Sequence, residues 1–397
     1  MFHTPHWVTQ AFPVAIYLHE PGDGGLDRVA IMLANHLLRR GIAVELWMTR
    51  MDGPAAGLID PSLRVRRVPA PRLTRRLSMI AQFPALAAMV RRHRPDILYS
   101  AGNQSNMLCA LAAWGTATQA VSRISNPIVR PGQTGLAAWL RRSRFRVISR
   151  ISAMTIAMGE ADRQMLAGPG PLAARRVILL PRPTVTPMLE RAGRRRGDCP
   201  PPSPCPPRHL LMVGRLAEQK DHATALAALA RLRHVDWRLK IAGQGPLRQE
   251  LERLCVQLGI AERVEFLGFV GDQRRLAELM AQADLLLQPS RWEGLVATMI
   301  EALGCGTGVV ATDSAPDIHP LLAAAGQHPP VPVGDAAAFA AAILWALAHP
   351  SPVDRLAGAV HDHCAERALD AHVRAFAHLV GSDGVRWSGA MQNGLLR

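Results

Sequence analysis

The stretch WEGLVATMIEALGC, Trp292 to Cys305, carries two glutamates, Glu293 and Glu301, with seven residues between them. If a helix starts near Leu295, Glu293 stands in the loop before its N-terminus. Glu301 then lies two turns along, roughly 9 Å away at about 1.5 Å per residue. Two carboxylates at that separation match the span from a ribose to a phosphate-linked sugar. Glu301 sits among Ala297, Met299, Ile300, Ala302 and Leu303, where a carboxylate buried without partners is costly. A ribose diol would supply two donors. Gly294 allows close approach of a ligand to the backbone, and the free N–H groups of residues 294 to 296 at a helix N-terminus suit an anion or a hydroxyl. The plainer alternative is an ordinary helix start with Glu293 as a charge favourable to the helix dipole.

A second candidate is VGRLAEQKD, Val213 to Asp221, placed between a strand and a helix. Arg215 and Lys220 are two cations spaced to clamp a diphosphate, with the helix N-terminus adding partial positive charge. The chain holds 44 arginines and only two lysines, Lys220 and Lys240, so a compact ammonium at position 220 is a marked choice. A polar loop with solvated charges is the alternative. No D-x-D triplet occurs, and the six cysteines form no C-x-x-C pair and no zinc spacing. Reduced thiols, no metal site and no disulfide frame are expected.

Two α/β series must position these groups. PVAIYLH (13 to 19), AVELWMT (43 to 49), DILYS (96 to 100), AVSRIS (120 to 125), AMTIAM (153 to 158) and RVILLP (176 to 181) read as strands of the first. Leu26, Val29, Leu33 and Leu37 share one face of the intervening first helix. HLLMVG (209 to 214), WRLKIAG (237 to 243), RVEFLG (263 to 268), DLLLQP (284 to 289) and GVVAT (308 to 312) form the second, with helices at 221 to 233 and 246 to 258. The expected class is α/β, with two doubly wound parallel-sheet domains facing across a cleft. In such sheets ligands sit beyond the carboxyl ends of the strands. Between the series, RRRGDCPPPSPCPPR, Arg194 to Arg208, is dominated by proline and reads as an exposed linker. The boundaries follow as 1–185 for the first domain, 186–207 for the linker, 208–365 for the second domain and 366–397 for a C-terminal helix and tail.

At 397 residues two domains are the default expectation. No apolar run reaches the roughly 18 residues of a membrane span, and the first twenty residues hold no Lys or Arg for a secretory leader. A cytoplasmic protein is expected. The net charge of +15 is uneven: residues 1 to 185 hold 24 Lys and Arg against 9 Asp and Glu, while residues 186 to 397 hold 22 of each. The N-terminal half carries the whole excess, which points to an anionic partner. Aromatic residues are 5% of the chain, too few for a base-stacking platform, so nucleic acid is the lesser reading. An anionic membrane surface is the better one, against the plainer alternatives of two ordinary surface helices packed on the sheet and a compositional bias toward arginine. Two segments, RLTRRLSMIAQF (Arg72 to Phe83) and LAAWLRRSRFRVI (Leu136 to Ile148), mix arginine with large apolar residues.

Taken together, GDGGLDRVAIMLANHLLRRG, VGRLAEQKD, IAGQGPLRQEL, VEFLGFV and SRWEGLVATMIEALGCGTGVVATD resemble the retaining glycosyltransferases of family 4, in order and spacing over roughly residues 13 to 335. The resemblance implies the GT-B fold and the E-x7-E motif. It implies transfer of a sugar from a UDP- or GDP-linked donor to a glycan or lipid-linked acceptor in bacterial surface polysaccharide synthesis, on the inner face of the plasma membrane. By it, Glu301 holds the ribose hydroxyls, Arg215 and Lys220 the diphosphate, and Glu293 stands beside the donor sugar with the amides of Gly294, Leu295 and Val296. The base lies against Phe266 to Val270, and Gly24 and Gly25 approach from the facing domain. Glu293, Lys220 and Arg215 are the expected catalytic groups, with no metal and no cofactor. The chain departs from the family pattern where a histidine is usual, reading SRISNP from Ser122 to Pro127, and at Arg182, Val296 and Gly308. A diverged, non-catalytic nucleotide-binding partner is therefore the alternative, with a basic nucleic-acid-binding protein behind it. A sugar-nucleotide epimerase fits the motif pattern less well.

Overall fold

The computed structural model describes residues 13–22, 25–70, 81–125, 128–129, 134–167, 176–198, 207–294 and 296–381. The chain divides into two compact units, one running to Leu180 and resuming at Leu369, the other spanning Pro181–Ala368.

In the first unit the apolar runs form parallel strands β1 (Val14–Leu18), β2 (Val44–Met48), β3 (Arg64–Arg67), β4 (Ile97–Ser100), β5 (Gln119–Arg123), β6 (Met154–Ala157) and β7 (Val177–Leu179). Their order is β3-β2-β1-β4-β5-β6-β7, with Val14 of β1 in register with Val44 and Ile97. Helices α1 (Gly25–Arg39), α2 (Phe83–His93), α3 (Asn106–Ala113), α4 (Gly135–Ile151) and α5 (Glu160–Ala167) connect them. Alternation sends Ile16 and Leu18 into one core with Leu33 and Leu37 of α1, and Ala15 and Tyr17 into another with Leu86 and Val90 of α2. Burial on both faces is why these strands read as continuous apolar runs.

Strand β3 has no such signature, since three of its four residues are arginine. It is an edge strand held by charge. Glu45 of β2 accepts from Arg66 Nε at 2.5 Å and Nη2 at 2.9 Å. Partial burial works against the Glu45 charge, but bonds from Arg66 and Trp47 outweigh it and hold the carboxyl below its ordinary pKa.

In the second unit the parallel strands are β8 (Arg208–Val213), β9 (Trp237–Ala242), β10 (Val264–Gly268), β11 (Leu285–Gln288) and β12 (Gly308–Ala311), in the order β10-β9-β8-β11-β12. Helices α6 (Pro187–Asp198), α7 (His222–Arg231), α8 (Arg248–Gln257), α9 (Gln273–Gln282), α10 (Ala297–Gly304), α11 (Ile318–Ala325), α12 (Ala336–Ala348) and α13 (Val353–Ala359) flank this sheet. Leu210, Leu239 and Ile241 pack with Leu226, Leu251, Phe339 and Ile343. On the opposite face Leu211, Leu286 and Val309 meet Met280, Met299, Ile300 and Leu322. Each unit is thus a parallel sheet between helical layers, a Rossmann-like domain.

One segment differs from the sequence reading. Pro187–Asp198, assigned to the 186–207 linker, is helix α6. Proline suits the first turn of a helix, and Arg196 Nη1 ties the helix to the C-terminal end of α9 through the carbonyls of Ala281 (2.7 Å) and Ala283 (2.5 Å). The proline-dominated part, 199–206, lies outside the described residues. The C-terminal helix α14 (Ala365–Leu379) crosses from the second unit into the first, where Leu369, Val373 and Phe376 enter the core beside α1. Asp370 accepts from Arg40 at 2.7 and 2.8 Å and bonds His36 at 2.8 Å.

Candidate active site

Strands β8 and β11 are neighbours, yet the chain leaves β8 toward β9 on one side and returns from β10 to β11 on the other. This is the switch point of strand order, the place where open parallel sheets bind ligands. The loop after β8 carries Gly214 to Asp221 and the loop after β11 carries Pro289 to Val296, so both sequence candidates meet here.

The meeting is a direct bond. Lys220 Nζ donates to Glu293 Oε1 at 2.5 Å, and Ser290 Oγ donates to the same oxygen at 2.6 Å. The Glu293 side chain is 5% exposed and that of Lys220 22%, so the pair is largely out of water. Backbone bonds fix the two loops to each other: Arg291 N–H to Gln219 O (2.8 Å) and Glu293 N–H to Ser314 O (2.9 Å). The Gln219 side-chain amide adds a bond to Trp292 O at 3.0 Å. Gly214 takes φ 155°, a conformation that favours glycine, and a Cβ there would stand 3.2 Å from Lys220 Cε. The lysine stem lies along that glycine.

Arg215 is exposed on the same loop, and Glu301 is half-buried on α10. Burial, with the Glu301 charge added, pushes the nearby Cys305 thiol up to about 12. Helix α10 begins at Ala297 rather than near Leu295, because Val296 takes a non-helical backbone (φ −81°, ψ 54°) while its carbonyl receives the Ile300 N–H at 3.0 Å. Val296 is buried and Gly294 half-buried. Gly25 is the exposed first residue of α1, in the other unit. Gly24 and Leu295 lie outside the described residues.

Sequence reading missed three contributors. Ser290 was legible only as part of the strand-end motif, and its bond to Glu293 depends on the turn after β11. Gln219 acts through its amide across 73 residues of chain, which no local pattern reveals. His222 opens α7 and is buried, its Nδ1 without a hydrogen-bond partner among the described residues. Burial, then the Lys220 charge, pushes its pKa down to about 4, so it is neutral at pH 7. The SRISNP segment has the opposite character. Arg123, at the end of β5, is buried and within 2.6 Å of His372 Nε2 on α14.

Residues 24–183 match the family described as Glycosyl transferase 4-like domain, and residues 207–349 match Glycosyl transferases group 1. The chain carries these two glycosyltransferase domains in the GT-B fold. A GDP-mannose-dependent alpha-(1-6)-phosphatidylinositol dimannoside mannosyltransferase of Mycobacterium tuberculosis is 41% identical over 110 residues, which is 27% of this chain and 28% of that protein. A lipopolysaccharide core biosynthesis glycosyltransferase of Rhizobium meliloti, LpsE, is 28% identical over 87% of this chain and 92% of its own. Among solved structures, HepE of Anabaena with UDP and glucose superposes with a TM-score of 0.65 at 18% identity, covering 94% of this chain and 100% of its own.

Proposed function

We propose that the protein is a retaining glycosyltransferase that takes a sugar from a UDP- or GDP-linked donor and passes it to a glycan or lipid-linked acceptor in bacterial surface polysaccharide synthesis. The observation that carries this reading is the Lys220–Glu293 pair at the switch point of the second sheet, between loops stitched to each other. The named activities of the relatives support it, mannosyl transfer from GDP-mannose in one and lipopolysaccharide core synthesis in another.

In this reading the donor diphosphate lies between Arg215 and Lys220, the ribose on Glu301, and the sugar beside Glu293 and the amides of Gly294, Leu295 and Val296. The resemblance assigns Gly24 and Gly25 to the donor as well. Lys220 exchanges its bond to Glu293 for one to the diphosphate, and Glu293 turns its freed oxygen to a sugar hydroxyl. The bond from the anomeric carbon to the diphosphate oxygen breaks as the acceptor oxygen bonds that carbon on the same face. The acceptor proton passes to the departing phosphate. Charge grows on the diphosphate toward the transition state, so Arg215, Lys220 and the helix N-terminus lower the barrier. Neither a metal nor a cofactor is assigned a role. The protein would work at the inner face of the plasma membrane; among the described residues no helix is long and apolar enough to cross one.

One observation favours a second reading. Arg123 is committed to His372 in the segment where the resemblance leads one to expect a donor-side histidine, as in a nucleotide-binding partner without activity. Incubating the protein with a panel of UDP- and GDP-sugars and following nucleoside diphosphate release by mass spectrometry decides between them. Release from one donor that disappears in Lys220→Ala supports transfer; tight nucleotide binding with no release from any donor supports the inactive partner.

A further inference from the structure

Helix α4 buries Ala138, Phe145, Ile148 and Ser149 against the first unit. At about 100° per residue these share one side, and Leu136, Leu140 and Val147 fall on the opposite side with Trp139 at its border. That outward stripe is uncovered: Leu136 is 72% exposed, Trp139 59%, Leu140 53% and Val147 45%. The neighbouring helix α3 packs on α4 and ends in Trp114, 65% exposed. An outward-facing row of large apolar residues is not what a solvated helix carries.

The charges around the stripe say what covers it. Arg142, Arg146 and Arg150 are exposed along one flank and Arg144 along the other, and Arg142, Arg146 and Arg150 make no ion pair among the described residues. From residue 101 to 150 the sequence has seven arginines and no acidic residue. A second copy of this chain would bring the same cations against these, and an apolar protein groove would leave them unmatched. A surface with an apolar interior beneath a layer of negative charge matches both features at once.

We infer that α4, with Trp114 beside it, is a docking face for an anionic phospholipid bilayer. The helix lies in the plane of the headgroups, with Leu136, Trp139, Leu140 and Val147 reaching the acyl boundary and the flanking arginines extending to lipid phosphates. Trp139 and Trp114 are the interfacial anchors, as tryptophan prefers the boundary between headgroup and chain. The other segment with this composition, Arg72 to Phe83, lies mostly outside the described residues and takes no part in the assignment.

The test is flotation of the full chain with vesicles of equal parts phosphatidylglycerol and phosphatidylcholine, against pure phosphatidylcholine, at low and high salt. Binding to the anionic vesicles should exceed binding to the neutral ones at least tenfold and weaken as salt screens the arginines. Arg142→Glu with Arg146→Glu and Arg150→Glu should lower the anionic partition at least tenfold. Trp139→Ala with Leu140→Ala should do the same at unchanged net charge, with far-UV circular dichroism unaltered because both side chains lie outside the core. No binding of the wild type at low salt overturns the inference. So does an apolar variant that floats like the wild type, since attraction is then charge alone and extends to any polyanion, or a dimer that dissolves in that variant without vesicle binding. No donor is needed for flotation, so its outcome is independent of the transfer reaction proposed above.

Discussion

Replacing Lys220 by methionine keeps the stem that runs along Gly214 and removes only the charged end. Glu293 is then left with its side chain 5% exposed and Ser290 as its remaining side-chain donor in the pair described above. Breaking a fully buried ion pair costs about 3–5 kcal/mol. Lys220 is 22% exposed, so screening reduces this to about 2–3 kcal/mol, a fall of about 4–12 °C in the melting transition of a unit this size. Glu293→Gln in the same chain removes the stranded charge while keeping an acceptor for Ser290. The double variant should therefore recover at least half of the lost stability. Scanning calorimetry of the wild type, the two single variants and the double variant closes the cycle, with a coupling of about 1.5 kcal/mol or more expected. Single variants that melt within a degree of the wild type, or a double variant whose loss is the sum of the two, would show that the pair is an incidental surface contact.

Glu301→Ala should weaken UDP or GDP binding about 5- to 150-fold, the worth of about 1–3 kcal/mol of hydrogen bonds to a charged group, with an unchanged melting profile; unchanged affinity in calorimetry removes the ribose assignment. Lys220→Arg should restore the charge but not the turnover, because a flat guanidinium does not replace a compact ammonium beside Gly214, and steady-state kinetics with kcat at the wild-type value would contradict it. The pKa of His222 is lowered to about 4 in the folded protein from about 6.5 in the unfolded chain. Its contribution is present above pH 6.5 and is lost as pH falls toward 4, so urea unfolding should show the stability gap between wild type and His222→Gln changing by about 2 kcal/mol from pH 7 to pH 5. Parallel pH curves would refute this. Partial burial opposes the charge of Asp370, but His36 and Arg40 hold its pKa below the usual value. Asp370→Asn should therefore destabilise the first unit at neutral pH and converge with the wild type as acid protonates the carboxylate below its lowered folded pKa; a constant gap in acid titration would exclude an ionic role.

The strands of both sheets were legible except β3, because burial on two faces leaves continuous apolar runs in β1, β2, β4 and the rest, whereas RVRR is held by Glu45 across the ladder. Helix α6 was hidden because the prolines that follow Asp198 colour the whole stretch, although Pro187 at its start and the arginines before residue 199 are compatible with helix. The chemistry-bearing types at 215, 220, 293 and 301 were readable from spacing. Their partners were not: that Lys220 bonds Glu293, and that Ser290 shares the same oxygen, follows from the order of β8 and β11 in the sheet. No linear pattern encodes that order directly. The packing of α14 in the first unit rests on contacts far apart in sequence, Leu369, Val373 and Phe376 in the core and Asp370 on Arg40, 330 residues away.

If the switch point beyond β8 and β11 takes a nucleoside diphosphate sugar, Glu301 and Lys220 are its holders. Calorimetric titration of UDP and GDP into the wild type and into Glu301→Ala and Lys220→Met tests it most directly. One of the two nucleotides should bind the wild type at one site per chain, and both variants should bind it at least fivefold more weakly. Failure of either nucleotide to bind the folded wild type, or equal affinity in all three proteins, would contradict the account.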